Sequence, residues 1–444
     1  MKLPARPPKT GDLPPRFLEL HRTTQGPLVN GKYLHWDEVR RRPLPEEFQT
    51  HDEWWAWIHF HRKRVARTIH GLTDTNGNPF WYAHLPEIDE QLHLFDRAAG
   101  GAIAQPDEIA NPETRGRYHI ATLIEEAIAS SQIEGAATTR RDAKEMLRSG
   151  RQPRDKSERM IFNNYLTMQA LADFKTKPLT AELVHTLHRK VTDGTLDDAH
   201  AAGRFRTAQE QIEVTDNQNQ TLHTPPAARE LPERYARMCA FANGTAPKGV
   251  FLHPVLRAIL LHFWLAYDHP YVDGNGRTAR SLFYWSALTH GYWQFEFTSI
   301  SAIIRKRVTQ YARAFLHTET DSNDLTYFIL FHLKVITDAL EALHTYLDAE
   351  RTKAQAFERQ LRQLADLNHR QKTLIAHALR HPDALYEIAP HSAYHTISYA
   401  TARSDLLDLT KRGLLEQRKV SKRFIFEPTR DLRKRVSELR GREG

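Results

Sequence analysis

Twelve consecutive residues, His269-Pro-Tyr-Val-Asp-Gly-Asn-Gly-Arg-Thr-Ala-Arg280, combine a titratable base, a carboxylate, two glycines and two arginines. Each type suits the handling of a nucleotide phosphate. Pro270 biases His269 away from helix and toward an extended or loop backbone. Gly274 and Gly276 flank Asn275 and permit backbone geometry closed to residues with a Cβ. From Arg277 onward the residues take helical spacing, so the segment reads as loop, glycine turn and helix N-terminus. Free N–H groups at such a terminus, aided by the helix dipole, form an anion site. Arg277 and Arg280 lie three apart on one helical face, where both would reach phosphate oxygens. Asp273 is a hard oxygen ligand suited to Mg²⁺. A lone histidine or an Asp-Gly turn is usually structural; the whole set at this spacing points to chemistry.

A second signal lies upstream. A helical pattern over 114–133 ends in Ser130-Ser-Gln-Ile-Glu134-Gly135. On its own this is a helix terminus, with Gly135 as C-terminal cap and Glu134 as a surface acid.

The elements that must position these residues are mostly helical. Periodicity predicts helices over roughly 52–71, 86–98, 114–133, 140–149, 155–175, 180–192, 229–243, 253–268, 276–290 and 298–317, with a long helical stretch over 321–367. Residues 1–50 are proline-rich and irregular apart from Leu28–Leu34, whose central Asn-Gly predicts a hairpin. A second hairpin is predicted where Gln211–Thr215 and Thr221–Thr224 bracket a polar turn. Toward the C-terminus, His369–Leu379 and Ile397–Leu415 read as helices, with Gly413 as a stop. Leu414–Arg418 and Arg423–Glu427 would then form a wing.

Composition narrows the class. An apolar fraction of 40% with 26% charged residues is that of a globular chain of two or three domains. No apolar run approaches a membrane span and the N-terminus lacks a signal-peptide core, so the expectation is a cytoplasmic protein with no membrane partner. The single cysteine, Cys239, excludes an internal disulfide and sits in an apolar helical stripe. Residues 369–444 hold 16 Lys plus Arg against 9 Asp plus Glu, nearly the whole of the net charge of +8. That asymmetry suggests an anionic partner for the C-terminal part, with nucleic acid the first candidate.

The segment 269–280 resembles the motif of Fic proteins, His-x-Phe-x-Asp/Glu-Gly-Asn-Gly-Arg-x-x-Arg. Every defining position matches except the phenylalanine, which is Tyr271 here. The helix His253–His262 and the trio Asp324-Leu-Thr326 resemble flanking landmarks, so the likeness covers roughly 115–345. It implies a mainly α fold: a Fic helical core with a small β-hairpin flap. Ser130-x-x-x-Glu134-Gly135 resembles the inhibitory motif of the class with an N-terminal inhibitory helix. The C-terminal part resembles a winged helix-turn-helix. The implied organisation is an N-terminal region over 1–110, a Fic domain over 111–345, a connecting helix over 346–368 and a winged helix over 369–444.

The resemblance also implies an activity: transfer of AMP from ATP to a Ser, Thr or Tyr hydroxyl of a protein. His269 would be the general base, Asp273 would hold Mg²⁺, and Gly274, Asn275 and Gly276 would form the anion-holding turn. Arg277 and Arg280 would stabilise the leaving pyrophosphate. Glu134 would form a bidentate pair with Arg280 and compete with ATP for it, with Ser130 and Gly135 completing the inhibitory motif. Ile212, Glu213 and Val214 of the flap would hold the target by strand-like pairing, and Tyr311 is a candidate adenosine contact. Relatives transfer UMP, phosphate or phosphocholine, or remove AMP; Gly276, where the phosphate-transferring relatives carry lysine, favours nucleotidyl transfer. Dimers are common among relatives. A different reading is a DNA-binding regulator, with Tyr399, Thr401, Arg403 and Ser404 meeting bases and Lys419, Lys422 and Arg423 meeting phosphates.

Overall fold

The computed structural model describes residues 1–8, 26–97, 112–216, 218–244, 251–363, 366–381, 384–420, 423–429 and 431–440. The chain divides into two compact units: Met1–Ile103 with Tyr118–Leu343, and Ala104–Arg117 with His344–Gly444.

In the first unit, α1 (Trp36–Val39) and α2 (His51–Arg64) are followed by an antiparallel hairpin, β1 (Ala66–Thr73) and β2 (Pro79–Ala83). Next come α3 (Pro86–Phe95), α4 (Pro112–Ile133), α5 (Arg140–Ser149), α6 (Lys156–Phe174) and α7 (Ala181–Thr192). A second small hairpin joins β3 (Val214–Thr215) to β4 (Thr221–His223). Helices α8 (Leu231–Ala242), α9 (Pro254–Asp268), α10 (Asn275–Thr289), α11 (Ile300–Lys306) and α12 (Val308–Thr320) complete the order, with the part of α13 (Thr326–Gln363) up to Leu343.

The core gathers around α9. Its sequence Val255-Leu-Arg-Ala-Ile-Leu-Leu-His-Phe-Trp-Leu is apolar on almost every face, and nearly all of it is buried. A helix hydrophobic all round belongs at the centre of a bundle. Residue 269 is therefore carried at the end of a helix buried on nearly every face.

Several expectations change here. Residues 66–71, read as the end of a helix, are the strand β1; Val65 leaves helical geometry and ends α2. The register of β1 with β2 then depends on distant chain: Trp81 N–H donates to Asn323 O at 3.2 Å and Leu325 N–H to Trp81 O at 2.8 Å. The predicted helix over 298–317 breaks at Arg307, between α11 and α12. The long helix begins at Thr326, because Ser322 and Asn323 are left-handed and Asp324 Oδ1 caps it by accepting Thr326 N–H at 2.9 Å. The Leu28–Leu34 hairpin is present as the bridge Val29–Lys32, with Asn30 and Gly31 both at positive φ.

The second unit contains α14 (His369–Arg380), α15 (Ile388–His395), α16 (Tyr399–Lys411), the hairpin β5 (Leu415–Val420) and β6 (Arg423–Pro428), and α17 (Leu432–Arg440). Helices α15 and α17 were not anticipated, and α16 is shorter than the predicted 397–415. Ser398 starts it by accepting Thr401 N–H at 3.2 Å, and Gly413 at φ +72° ends the turn after it. Tyr386 bridges to Phe426 as an additional strand-like pairing, and Leu374, Ile375, Leu406, Leu409, Leu415 and Phe426 form a separate apolar core.

Candidate active site

The loop between α9 and α10 carries the twelve-residue segment. His269 adopts φ +42°, ψ +57° as the C-terminal cap of α9, rather than the extended backbone expected before a proline. Left-handed geometry in a residue with a Cβ costs about 1 kcal/mol and persists only where the surroundings enforce it. They do. His269 N–H donates to Leu265 O at 3.0 Å, Arg206 Nε donates to His269 O at 2.9 Å, and Arg206 N–H donates to Pro270 O at 2.8 Å.

The ring is equally fixed. Its Nδ1 lies 3.2 Å from Ala266 O, so Nδ1 carries the proton and Nε2 the lone pair. Burial pulls the His269 value down to about 4, with the Ala266 bond acting in the opposite direction.

Tyr271 is fully buried, and its hydroxyl meets Tyr235 Oη at 2.8 Å and His185 Nδ1 at 3.0 Å. Tyrosine in place of phenylalanine is thus accommodated by two partners. Asn275 closes the loop: its side chain accepts Tyr271 N–H at 3.0 Å and donates to Tyr271 O at 2.8 Å. Only its backbone is left for an anion.

Gly274, at φ +82°, is the N-cap of α10, and a Cβ there would stand 2.6 Å from Thr192 Cγ2. Gly276 is needed for another reason. A Cβ on it would lie 2.2 Å from Glu134 Oε1, so the carboxylate occupies the space over the first turn of α10. Asp273 is half exposed, accepts Gly274 N–H, and lies 3.5 Å from Arg277 Nη2.

The two arginines diverge. Arg277 is fully buried and turned toward α7, donating to Val191 O at 3.1 Å, while its Nε and Nη2 make no hydrogen bond among the described residues. Arg280 donates through Nε to Ser130 Oγ at 2.8 Å, and through Nη2 to Ser130 O at 3.0 Å and Glu134 Oε1 at 2.9 Å. The Glu134 pair is a single bond through Nη2, not the bidentate pair expected; Ser130 shares that nitrogen and takes Nε. Arg280 Nη1 makes no hydrogen bond among the described residues. Buried guanidinium N–H groups without acceptors are costly, and an anion would satisfy them. Gly135, at φ +92°, turns the chain away after α4.

Of these groups Glu134, His269 and Gly276 line a cavity of about 200 Å³, together with Val214, His223 and Tyr311 and an apolar wall from Leu222, Phe315 and Leu316; Asp273, Arg277 and Arg280 are not part of its lining. The flap is shorter than predicted: Val214 is in β3, whereas Ile212 and Glu213 precede it, and Glu213 instead accepts a hydrogen bond from Thr221 at 2.6 Å. Tyr311 Oη lies 2.8 Å from His262 Nε2.

Four residues that sequence reasoning passed over hold this arrangement. Arg206 pins the backbone of His269, as described. His188 accepts Gly203 N–H at 2.9 Å through Nδ1, donates to Asp273 O at 2.8 Å through Nε2, and stacks on Tyr271 at 3.6 Å. His223 has both ring nitrogens 2.7 Å from acceptors, Glu319 Oε2 and Tyr267 O; burial opposes its charged form, but these partners raise its value. Glu126 is buried on α4. A lone histidine or glutamate on an amphipathic helix carries no mark in the sequence that distinguishes it; Arg206 alone follows a glycine turn, Gly203-Arg-Phe-Arg206.

Residues 178–287 match the model of the Fic/DOC family. That stretch is similar to a Fic domain. Among curated proteins, a protein adenylyltransferase Fic from Nematostella vectensis is 39% identical over 111 residues, 24% of this chain and 22% of the relative. One from Drosophila grimshawi is 32% identical over 114 residues, 26% of this chain and 21% of the relative. The likeness to these relatives thus spans about a fifth of their own length. The crystal structure of a Fic family protein from Desulfovibrio desulfuricans superposes with a TM-score of 0.52 at 18% identity, covering 79% of this chain and 98% of that one, a likeness of fold. Ser130 and Glu134 precede the matched Fic segment, and Tyr311 follows it.

In the second unit Tyr399 is 58% exposed, and Thr401, Arg403 and Ser404 are exposed on the first turns of α16. Lys419 and Arg423 are exposed on the β5–β6 hairpin, with Arg423 3.5 Å from Glu387. Lys422 lies outside the described residues. Among the described residues no helix is long and apolar enough to cross a membrane.

Proposed function

We propose that the chain transfers AMP from ATP to a hydroxyl side chain of a protein and that Glu134 restrains this activity. One observation carries the reading: a neutral His269, its Nδ1 occupied and its Nε2 without a partner among the described residues, beside a helix N-terminus and a cavity of about 200 Å³. The matched relatives, named protein adenylyltransferases, support it. The hydroxyl oxygen of the target attacks the α-phosphorus, its proton passes to His269 Nε2, and the bond from the α-phosphorus to the bridging oxygen breaks. Pyrophosphate leaves with that electron pair. The N–H groups of Asn275 and Gly276, with the unpaired guanidinium edges of Arg277 and Arg280, would hold the phosphate oxygens. Tyr311, Phe315 and Leu316 would wall the base, and the Val214 strand would align the target segment.

Asp273 would be the oxygen donor that holds Mg²⁺; no group of three metal-binding side chains exists among the described residues. That donor set fits a cation completed by the nucleotide's own oxygens. Bound Mg²⁺ would neutralise charge on the α- and β-phosphates.

Glu134 opposes all this from a single position. Its carboxylate sits over Gly276, where a phosphate oxygen would approach, and it takes one donor of Arg280. Intact-mass measurement with ATP and Mg²⁺ tests the reading. Glu134→Gly should raise the AMP adduct by about tenfold or more, and His269→Ala in that background should abolish it. Equal adduct in parent and Glu134→Gly protein would sink the restraint; an adduct that survives His269→Ala would remove the base.

A second reading concerns the second unit. Helix α14, the Tyr386 bridge, helices α15 and α16 and then the β5–β6 hairpin follow in an order that fits a winged helix, and Arg403 and Ser404 are exposed on α16 where a groove would meet them. Duplex DNA is the partner that its basic excess fits. Binding should weaken steeply with salt and fall in Arg403→Ala protein; no electrophoretic shift at low salt would count decisively against it.

A further inference from the structure

Glu126 is a buried carboxylate that the chemistry above does not use. It is 1% exposed and forms no ion pair among the described residues. Its Oε2 instead accepts Tyr284 Oη at 2.8 Å, Ser299 Oγ at 2.7 Å and Ser301 N–H at 3.0 Å, while Oε1 accepts Ser301 Oγ. Taking a carboxylate out of water is expensive, and four donors arranged around it mean that its position is closely specified.

Its place along α4 gives this cost a purpose. Glu126, Ser130 and Glu134 recur every four residues and so share one face of α4 and its C-terminal turn. Opposite them, Tyr284, Arg280 and Gly276 recur every four residues on one face of α10. The partners match in antiparallel order: Glu126 with Tyr284, Ser130 with Arg280, and Glu134 over Gly276. The two helices are joined by a three-rung polar ladder. Its innermost rung is the buried carboxylate and its outermost rung is the restraining one.

We propose that Glu126 is the positioning residue that sets the register of α4 on α10, and thereby seats Glu134 over Gly276. The inference rests on the proposed restraint by Glu134 and names the device that enforces it. The apolar residues Ile124, Ala127 and Ile128 attach α4 to its neighbours, but apolar contacts tolerate small slides and rotations. Fixed donors around one carboxylate do not. A shift of a few tenths of an ångström at Glu126 is transmitted along about 12 Å of helix, eight residues at 1.5 Å each, to the group over the active site.

Glu126→Gln and Tyr284→Phe in the full chain test this, because neither residue touches the cavity. Two readouts are compared with the parent and with Glu134→Gly: the AMP adduct by intact mass, and hydrogen exchange of the amides of 130–135. The ladder requires about a tenfold rise in adduct and in exchange for each variant, and no further rise in adduct when either is combined with Glu134→Gly. Parent-level adduct and exchange in folded Glu126→Gln and Tyr284→Phe, with Glu134→Gly active, would overturn it. If Glu134→Gly itself is silent, the restraint reading fails and exchange alone decides: faster exchange at 130–135 upholds the register, unchanged exchange removes it. Should Glu126→Gln not fold, Tyr284→Phe, which keeps the carboxylate and its serine donors, carries the same comparison.

Discussion

His269 has its Nδ1 tied to Ala266 and its ring withdrawn from water, so protonation is costly and its value falls to about 4. In the role proposed for His269 a base works above its own value, so in Glu134→Gly protein the acid limb of kcat/KM should lie near pH 4, with activity level from there to neutrality. A limb near 6.5 would mean that the ring is solvated in the working enzyme. Gly274 makes a second demand at this scale. Its φ of +82° costs a residue with a Cβ about 1–2 kcal/mol, and that Cβ would also press on Thr192 Cγ2 at 2.6 Å. Gly274→Ala should lower the melting temperature and abolish adduct formation; an unchanged melting curve would contradict the tightness of that turn. His269, Asp273, the glycines and Glu134 were legible in the sequence because each belongs to a short local pattern. His188, Arg206, His223 and Glu126 were not, since each acquires its role only from chain dozens to hundreds of residues away.

Among the elements, the long periodic helices were legible and the β1–β2 hairpin was not. Arg64-Val-Ala-Arg-Thr-Ile-His70 continues a helical pattern, yet β1 forms there because β2 and the Asn323–Leu325 backbone complete its pairing. The turn signal Asn76-Gly77 was present and unread. The trio Asp324-Leu-Thr326 also gains a physical role: Asp324 caps α13 and accepts Tyr33 Oη at 2.6 Å, while Thr326 Oγ1 accepts Ala83 N–H at 2.8 Å. Arg62 ties the same region together. Fully buried, it donates to Pro27 O at 3.1 Å, Leu34 O at 2.8 Å and Tyr327 Oη at 2.7 Å. Lysine cannot serve three directions from one plane. Arg62→Lys should therefore cost about 3 kcal/mol in denaturant unfolding; a loss below about 1 kcal/mol would show the network to be dispensable.

For the molecule as a whole, acid is the condition to which the first unit should respond most. Burial pulls down nine histidines among the described residues of the first unit: His35 to about 2, His332 to about 3, His59, His188, His269 and His317 to about 4, and His61, His185 and His262 in the same direction. In an unfolded chain they would protonate near 6.5. Their stabilising effect is therefore complete above pH 6.5 and drains away as the pH falls toward 4, because the unfolded state binds the extra protons. Asp268, Asp321 and Asp324, raised by burial, act with the opposite sign and recover part of the loss. The melting temperature should fall between pH 7 and pH 5, and a midpoint that holds or rises would show these histidines charged in the folded protein. The seat over Gly276, finally, limits how the proposed restraint could be escaped by mutation. A side chain at 276 would evict Glu134, but it would fill the space that a phosphate needs. Release and inactivation would arrive in one step. A genetic selection for hyperactive alleles should therefore return substitutions along one side of α4, at 126, 130 and 134, and leave position 276 untouched.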